Sequence, residues 1–106
     1  MPGAGRITEA EVATAVLRVL ANERSGEASM GTIRQQLKSY LSLSAEDQQP
    51  SLTRENEELW EQQVRNFVNH RCTTGNFIRD GLIEYRSDSM TITDAGRSYV
   101  SSKGLG

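Results

Sequence analysis

The sequence predicts a mainly α-helical domain closed by a small β-hairpin, on three observations. Apolar residues recur at helical spacing in separate stretches, most clearly within residues 12–20, 33–41 and 60–68. Two short β-prone runs, residues 82–86 and 90–93, flank the polar Ser87-Asp88-Ser89. Thr93-Asp94-Ala95-Gly96 then opens a last helical stretch.

Each element has its own local warrant. Thr8-Glu9-Ala10-Glu11 is a capping box, and Ile7 and Val12 have the spacing of a hydrophobic staple around it. Val12, Val16, Val19 and Leu20 give that helix one apolar stripe. Residues 22–26 break the pattern. A second helix is predicted from Ser29 or Met30 to Leu41, burying Ile33, Leu37, Tyr40 and Leu41. Residues 42–56 are polar and contain Pro50, so they read as a long loop with room for one helical turn. The third helix begins near Glu57, with Glu55, Glu57 and Glu58 at its positive end. Its stripe is Trp60, Val64, Phe67 and Val68. Arg71 would fall on that stripe if the helix continued, so it ends or bends between Asn69 and Cys72. Residues 77–81 form a short helical turn closed by Gly81. After the hairpin, Ala95, Tyr99 and Val100 belong to the final helix. Residues 1–6 and 101–106 are expected as flexible tails around a domain spanning 7–100. The order helix, helix, helix, hairpin, helix is the skeleton of a winged helix-turn-helix.

Composition bounds the function. The 106 residues suffice for one domain and exclude a large two-domain enzyme. Folding at this size hides roughly 65% of the unfolded surface, enough for one modest core. A single Cys cannot make an internal disulfide, which excludes a secreted disulfide scaffold and points to a reducing, cytoplasmic setting. No apolar run approaches the roughly 18 residues of a membrane span, and no charged-then-apolar leader is expected. The net charge of −2 opposes a generic polybasic nucleic-acid binder, but it is unevenly spread. Residues 1–59 hold 6 basic and 9 acidic side chains, and residues 60–106 hold 6 basic and 5 acidic.

That unevenness concentrates on the third helix. At 100° per residue, Gln62, Arg65, Asn66 and Asn69 lie opposite Trp60, Val64 and Phe67. Arg pairs with guanine and Asn or Gln with adenine in the major groove, which is where a helix-turn-helix places this helix. The 18 residues from Gln62 to Arg79 contain three Arg and no acid. Backbone or loop contacts to DNA are therefore expected from His70, Arg71, Thr73, Thr74, Asn76 and Arg79, and from Arg86, Ser87 and Ser89 on the hairpin. Asp88 at the hairpin tip opposes close phosphate approach. The competing account is a solvated helix face and an ordinary turn.

Trp60-Glu61-Gln62-Gln63-Val64-Arg65-Asn66-Phe67-Val68, Gly81-Leu82-Ile83-Glu84-Tyr85 and Thr91-Ile92-Thr93-Asp94-Ala95-Gly96-Arg97 resemble the N-terminal winged-helix domain of Mrr-type restriction endonucleases and related modification-dependent nucleases. The resemblance covers roughly residues 8–100. It implies double-stranded DNA as partner, read by sequence or by modification. It also implies a role as the targeting module of a restriction or defence system, beside a nuclease domain or a second copy, or as a small transcriptional regulator. Residues 70–76 lengthen the stretch between helix and hairpin relative to that pattern, so no contact beyond Asn69 is implied by it. The nuclease chemistry of such enzymes sits in another domain.

Catalytic and metal chemistry are not expected. His70 and Cys72 make one ligand pair where zinc needs about four ligands, and they read as a surface His and a half-buried Cys. At i, i+2 on a helix they point apart and do not make a nucleophile and base. Glu46-Asp47 and Glu55, Glu57 and Glu58 read as solubilising charge. No phosphate-binding Gly loop and no nucleophile elbow is present. Trp60 reads as core, with base stacking as its functional alternative. No cofactor, membrane or small-molecule substrate is expected. The rival function is a winged helix used for protein contact or dimerisation without DNA.

Overall fold

The computed structural model describes residues 7–50 and 57–105. Its elements are α1 (Glu9–Ala21), β1 (Glu27–Ser29), α2 (Met30–Leu37), α3 (Leu59–Asn69), β2 (Ile83–Arg86), β3 (Ser89–Ile92) and α4 (Asp94–Lys103). The capping box forms as expected. Thr8 Oγ1 accepts from the Glu11 amide at 3.1 Å, and the Glu11 carboxylate accepts from the Thr8 amide at 3.0 Å. Val12, Val16, Val19 and Leu20 are fully buried, with Ile7 beside them in the core.

The hairpin is part of a three-stranded antiparallel sheet in the order β1-β3-β2. β1 had no sequence signal, because only Ala28 of its three residues points inward. It nonetheless pairs one edge of β3, with Ala28 opposite Met90, and so satisfies amides and carbonyls that a two-stranded ribbon would leave unpaired. Arg86 pairs with Ser89 across the hairpin, so the turn is Ser87-Asp88, one residue shorter than expected. The Met30 amide donates to the Asp88 carbonyl at 2.8 Å, tying the start of α2 to the hairpin tip.

α2 starts where expected, with Ser29 Oγ accepting from the Thr32 amide. It ends at Leu37 rather than Leu41. The Tyr40 and Leu41 amides both return to the Leu37 carbonyl at 2.9 and 3.0 Å, which tightens the last turn. The tightened turn sets the Tyr40 ring 5.0 Å from the Arg18 guanidinium.

The following loop contains a correction. Asp47 is 1% exposed and does not serve as solubilising charge. Its Oδ1 accepts from the Ile7 amide at 2.9 Å and its Oδ2 from the Ser44 amide at 3.0 Å. The Asp47 and Gln49 carbonyls accept from the Trp60 and Leu59 amides, so loop backbone satisfies the open first turn of α3. Glu55 lies outside the described residues. Along α3, Trp60, Val64 and Phe67 are buried and Val68 is half-buried, as the stripe predicts.

Residues 77–81 turn once and close at Gly81, whose φ of +85° suits a residue without Cβ. Thr93 then joins three segments. Its amide donates to Leu82 O, its hydroxyl donates to Gly81 O, and the same oxygen accepts from the Gly96 amide at 3.0 Å to cap α4. α4 continues to Lys103, past the boundary at residue 100. Leu105 donates to Val100 O at 3.0 Å and accepts from Arg18 Nε at 3.1 Å. The boundary expected at residue 100 therefore falls inside α4. Residues 1–6 and 106 lie outside the described residues. Among the described residues no helix is long and apolar enough to cross a membrane.

Two positions test this packing. Asp47→Ala strands the Ile7 and Ser44 amides and should cost about 2–3 kcal/mol, read as a lower urea midpoint at unchanged m-value. At Gly96 a Cβ would collide with the Leu82 carbonyl oxygen and sit 2.7 Å from Ile92 Cγ1. Gly96→Ala should therefore destabilise by about 2–3 kcal/mol in the same measurement, although Ala is the better helix former.

Candidate nucleic-acid interface

α3 carries the four side chains expected to face bases, and its neighbours divide them. Asn66 lies on the flank facing α1. Its amide donates to Gln63 Oε1 at 3.3 Å, and the Gln63 amide donates to Ile7 O at 3.2 Å. Gln62 is half-buried and Asn69 exposed, so these two hold the middle of the outward face. Arg65 lies on the other flank and is engaged. Its Nη2 is 3.1 Å from Glu57 Oε1 and its Nε 3.5 Å from Glu57 Oε2.

Arg65 and Asn69 open onto a groove of about 180 Å³, lined also by Val68, by Met30 and Arg34 of α2, and by Tyr85, Ser87 and the acidic Asp88 at the hairpin. α2, α3 and the hairpin meet there because the Met30–Asp88 bond fixes the hairpin tip against the first turn of α2. Arg71 does not line the groove but contacts two residues that do. Its guanidinium stacks 5.3 Å from the Tyr85 ring centroid and Nη1 donates to Val68 O at 3.0 Å. An Arg held over a ring keeps its charge and gains rigidity, which suits a fixed phosphate contact.

The remaining expected contacts are scattered. His70 Nδ1 lies 2.9 Å from Glu9 Oε1, turned toward α1. Thr73 and Thr74 are exposed beside a separate cleft of about 520 Å³ that also borders Glu9, Ala13 and Tyr99. Arg79 is exposed in the 77–81 turn and does not border the groove. Arg86 pairs with Glu84 on its own strand at 2.8 Å. Ser87 is exposed at the tip, and Ser89 donates to Glu27 Oε2 at 3.4 Å.

Asn76 requires correction. It is 9% exposed, its Nδ2 donates to Phe67 O at 2.9 Å, and its Oδ1 accepts from the Ile78 amide at 2.8 Å. An Asn so buried closes the C-terminal end of α3 and has no group left for DNA. Cys72 is exposed, where half-burial was expected. Among the described residues no group of three or more His, Cys, Asp or Glu side chains could hold a metal ion. Trp60 is 2% exposed and belongs to the core, with its indole N–H donating to Glu58 Oε1 at 2.8 Å.

Sequence reasoning missed Arg34 and Lys38. Both are exposed, and Lys38 Nζ sits 5.9 Å from the Trp60 ring centroid. The signal was present: two cations at i, i+4, each directly following an apolar position, Ile33 or Leu37, and so set on one side of the buried stripe.

Asn76→Ala should lower stability by about 1–2 kcal/mol through the exposed Phe67 carbonyl and the Ile78 amide it leaves without partners. Thermal unfolding measures this, and a variant as stable as the wild type would return Asn76 to the surface residues. Compared with protein-family models, curated proteins and solved structures, the chain matches none.

Proposed function

We propose that the chain is a winged helix-turn-helix domain that binds double-stranded DNA without catalysing a reaction. The observation that carries this reading is the convergence of Arg34, Arg65 and Asn69 on one groove between α2, α3 and the hairpin. In support, the element order α1-β1-α2-α3-β2-β3 and the sheet order β1-β3-β2 suit a winged helix. Gln62 and Asn69 offer amide groups to base edges, with Arg65 as the guanine-type donor. Arg34 of α2 and Lys38 at its C-terminal cap, with Arg71, take the phosphate contacts that position the helix. The resemblance to Mrr-type domains fits a cytoplasmic targeting module that reads sequence or modification, paired with a nuclease domain or a second copy. A small transcriptional regulator fits the same chemistry.

One feature favours the alternative, a protein-contact module. The hairpin carries Glu84, Asp88 and the neighbouring Glu27, and its Arg86 is neutralised on its own strand. An acidic, self-paired wing adds little to phosphate binding.

Titrating a random-sequence duplex against salt separates the two. Neutralising about three phosphates should cost roughly 40-fold in affinity between 50 and 200 mM salt. A protein-contact module should not bind the duplex even at about 50 mM. In the same assay Arg34→Ala and Asn69→Ala should each weaken binding about three- to ten-fold with unfolding unchanged. Unchanged affinity in both would remove the groove as the DNA face.

A further inference from the structure

Arg65 borders the groove proposed to face DNA, yet a carboxylate holds it. The pair is forked, with the Nε and Nη2 edge of the guanidinium on the two oxygens of Glu57. That edge is one the guanidinium offers to a planar acceptor pair, whether a carboxylate, a phosphate or the O6/N7 edge of guanine, and it serves one at a time. The Glu57 side chain is only 13% exposed. If Arg65 leaves, a largely buried carboxylate loses its counter-charge, which opposes the exchange.

From this we infer that Glu57 is a positioning residue that lowers non-specific DNA affinity by competing for Arg65. The inference rests on the DNA-binding reading above. A phosphate offers two oxygens and a guanine edge two acceptors, so either can take the fork. Either exchange leaves the largely buried Glu57 without its counter-charge, and a loosely fitted backbone contact does not offset that cost. The pair thus lowers non-specific binding. Glu57 acts wholly through Arg65, and it stands eight residues earlier in the chain, in the extended segment that enters α3.

Binding of a random-sequence duplex by the wild type, Glu57→Gln, Arg65→Ala and the double variant tests this. Glu57→Gln should bind roughly two- to five-fold tighter, the scale of one partly exposed ion pair. Its log–log salt slope should steepen by about 0.9, one added phosphate contact. In the Arg65→Ala background the Glu57→Gln change should have no effect. Equal or weaker binding by folded Glu57→Gln overturns the inference, and so does a gain that persists without Arg65, since removal of any nearby negative charge would then explain it. Binding by the wild type with no Glu57 effect ends the inference and leaves the DNA reading standing. Binding by neither ends both. If Glu57→Gln fails to fold, exchange of the Arg65 Nε proton in the wild type decides: the same protection in the free protein and with random-sequence duplex is expected, and loss of protection on adding that duplex overturns it.

Discussion

Asp47 ties together parts of the chain that are far apart in sequence. One carboxylate oxygen holds the amide of Ile7, where the described chain enters α1, and the other holds Ser44 within the loop. Its own carbonyl accepts from Trp60 in the first turn of α3. A carboxylate that is 1% exposed is costly to bury, and two backbone donors aimed at it offset that cost. The loop before α3 thus becomes a fixed strut, and the depth at which Trp60 enters the core follows from it.

α3 is fastened at its other end by different groups. Asn76 takes the Phe67 carbonyl and Arg71 the Val68 carbonyl, so two of the open carbonyls at the helix end have side-chain donors. A helix secured at both ends and packed through Trp60, Val64 and Phe67 presents its outer face with little freedom of rotation. Rigid presentation suits recognition, because less disorder has to be lost when a partner is met. The stretch after Asn69 fits the same picture: it folds back onto α3 through the bond from Asn76 to the Phe67 carbonyl.

How much of this was legible follows from the range of each interaction. The Thr8 box, the buried stripes of α1 and α3 and the Thr93 cap are local patterns, and periodicity found them. β1 was invisible because three residues with one inward side chain carry no alternation, and its stability comes from β3, sixty residues away. Asp47 and Asn76 read as surface residues because sequence reports polarity and leaves out enclosure. Their roles depend on amides and carbonyls from segments 40 and 9 residues distant. The helix wheel set Gln62, Arg65, Asn66 and Asn69 opposite the apolar stripe, but the wheel has no neighbours. It could not register that Glu57 reaches Arg65, that Gln63 links Asn66 to Ile7, or that α2 adds Arg34 to the same groove.

The ion pairs make the charge balance of the chain intelligible. Arg65 with Glu57, Arg86 with Glu84, and His70 with Glu9 each set a cationic or titratable group expected to meet DNA against an acid of the same fold. Exposed pairs like that of Arg86 contribute little to stability, so holding the fold together does not account for all of them. Their common effect is to lower the field the domain projects, in keeping with its net charge of −2. Among the described residues Arg34, Lys38, Arg71 and Arg79 have no ion pair, and neither do Arg18, Arg24, Arg97 and Lys103. A domain built this way gains little from charge alone. On the DNA-binding reading proposed above, affinity comes from fitted contacts in the groove, and there the arrangement of Arg34, Arg65 and Asn69 matters more than their sum of charges.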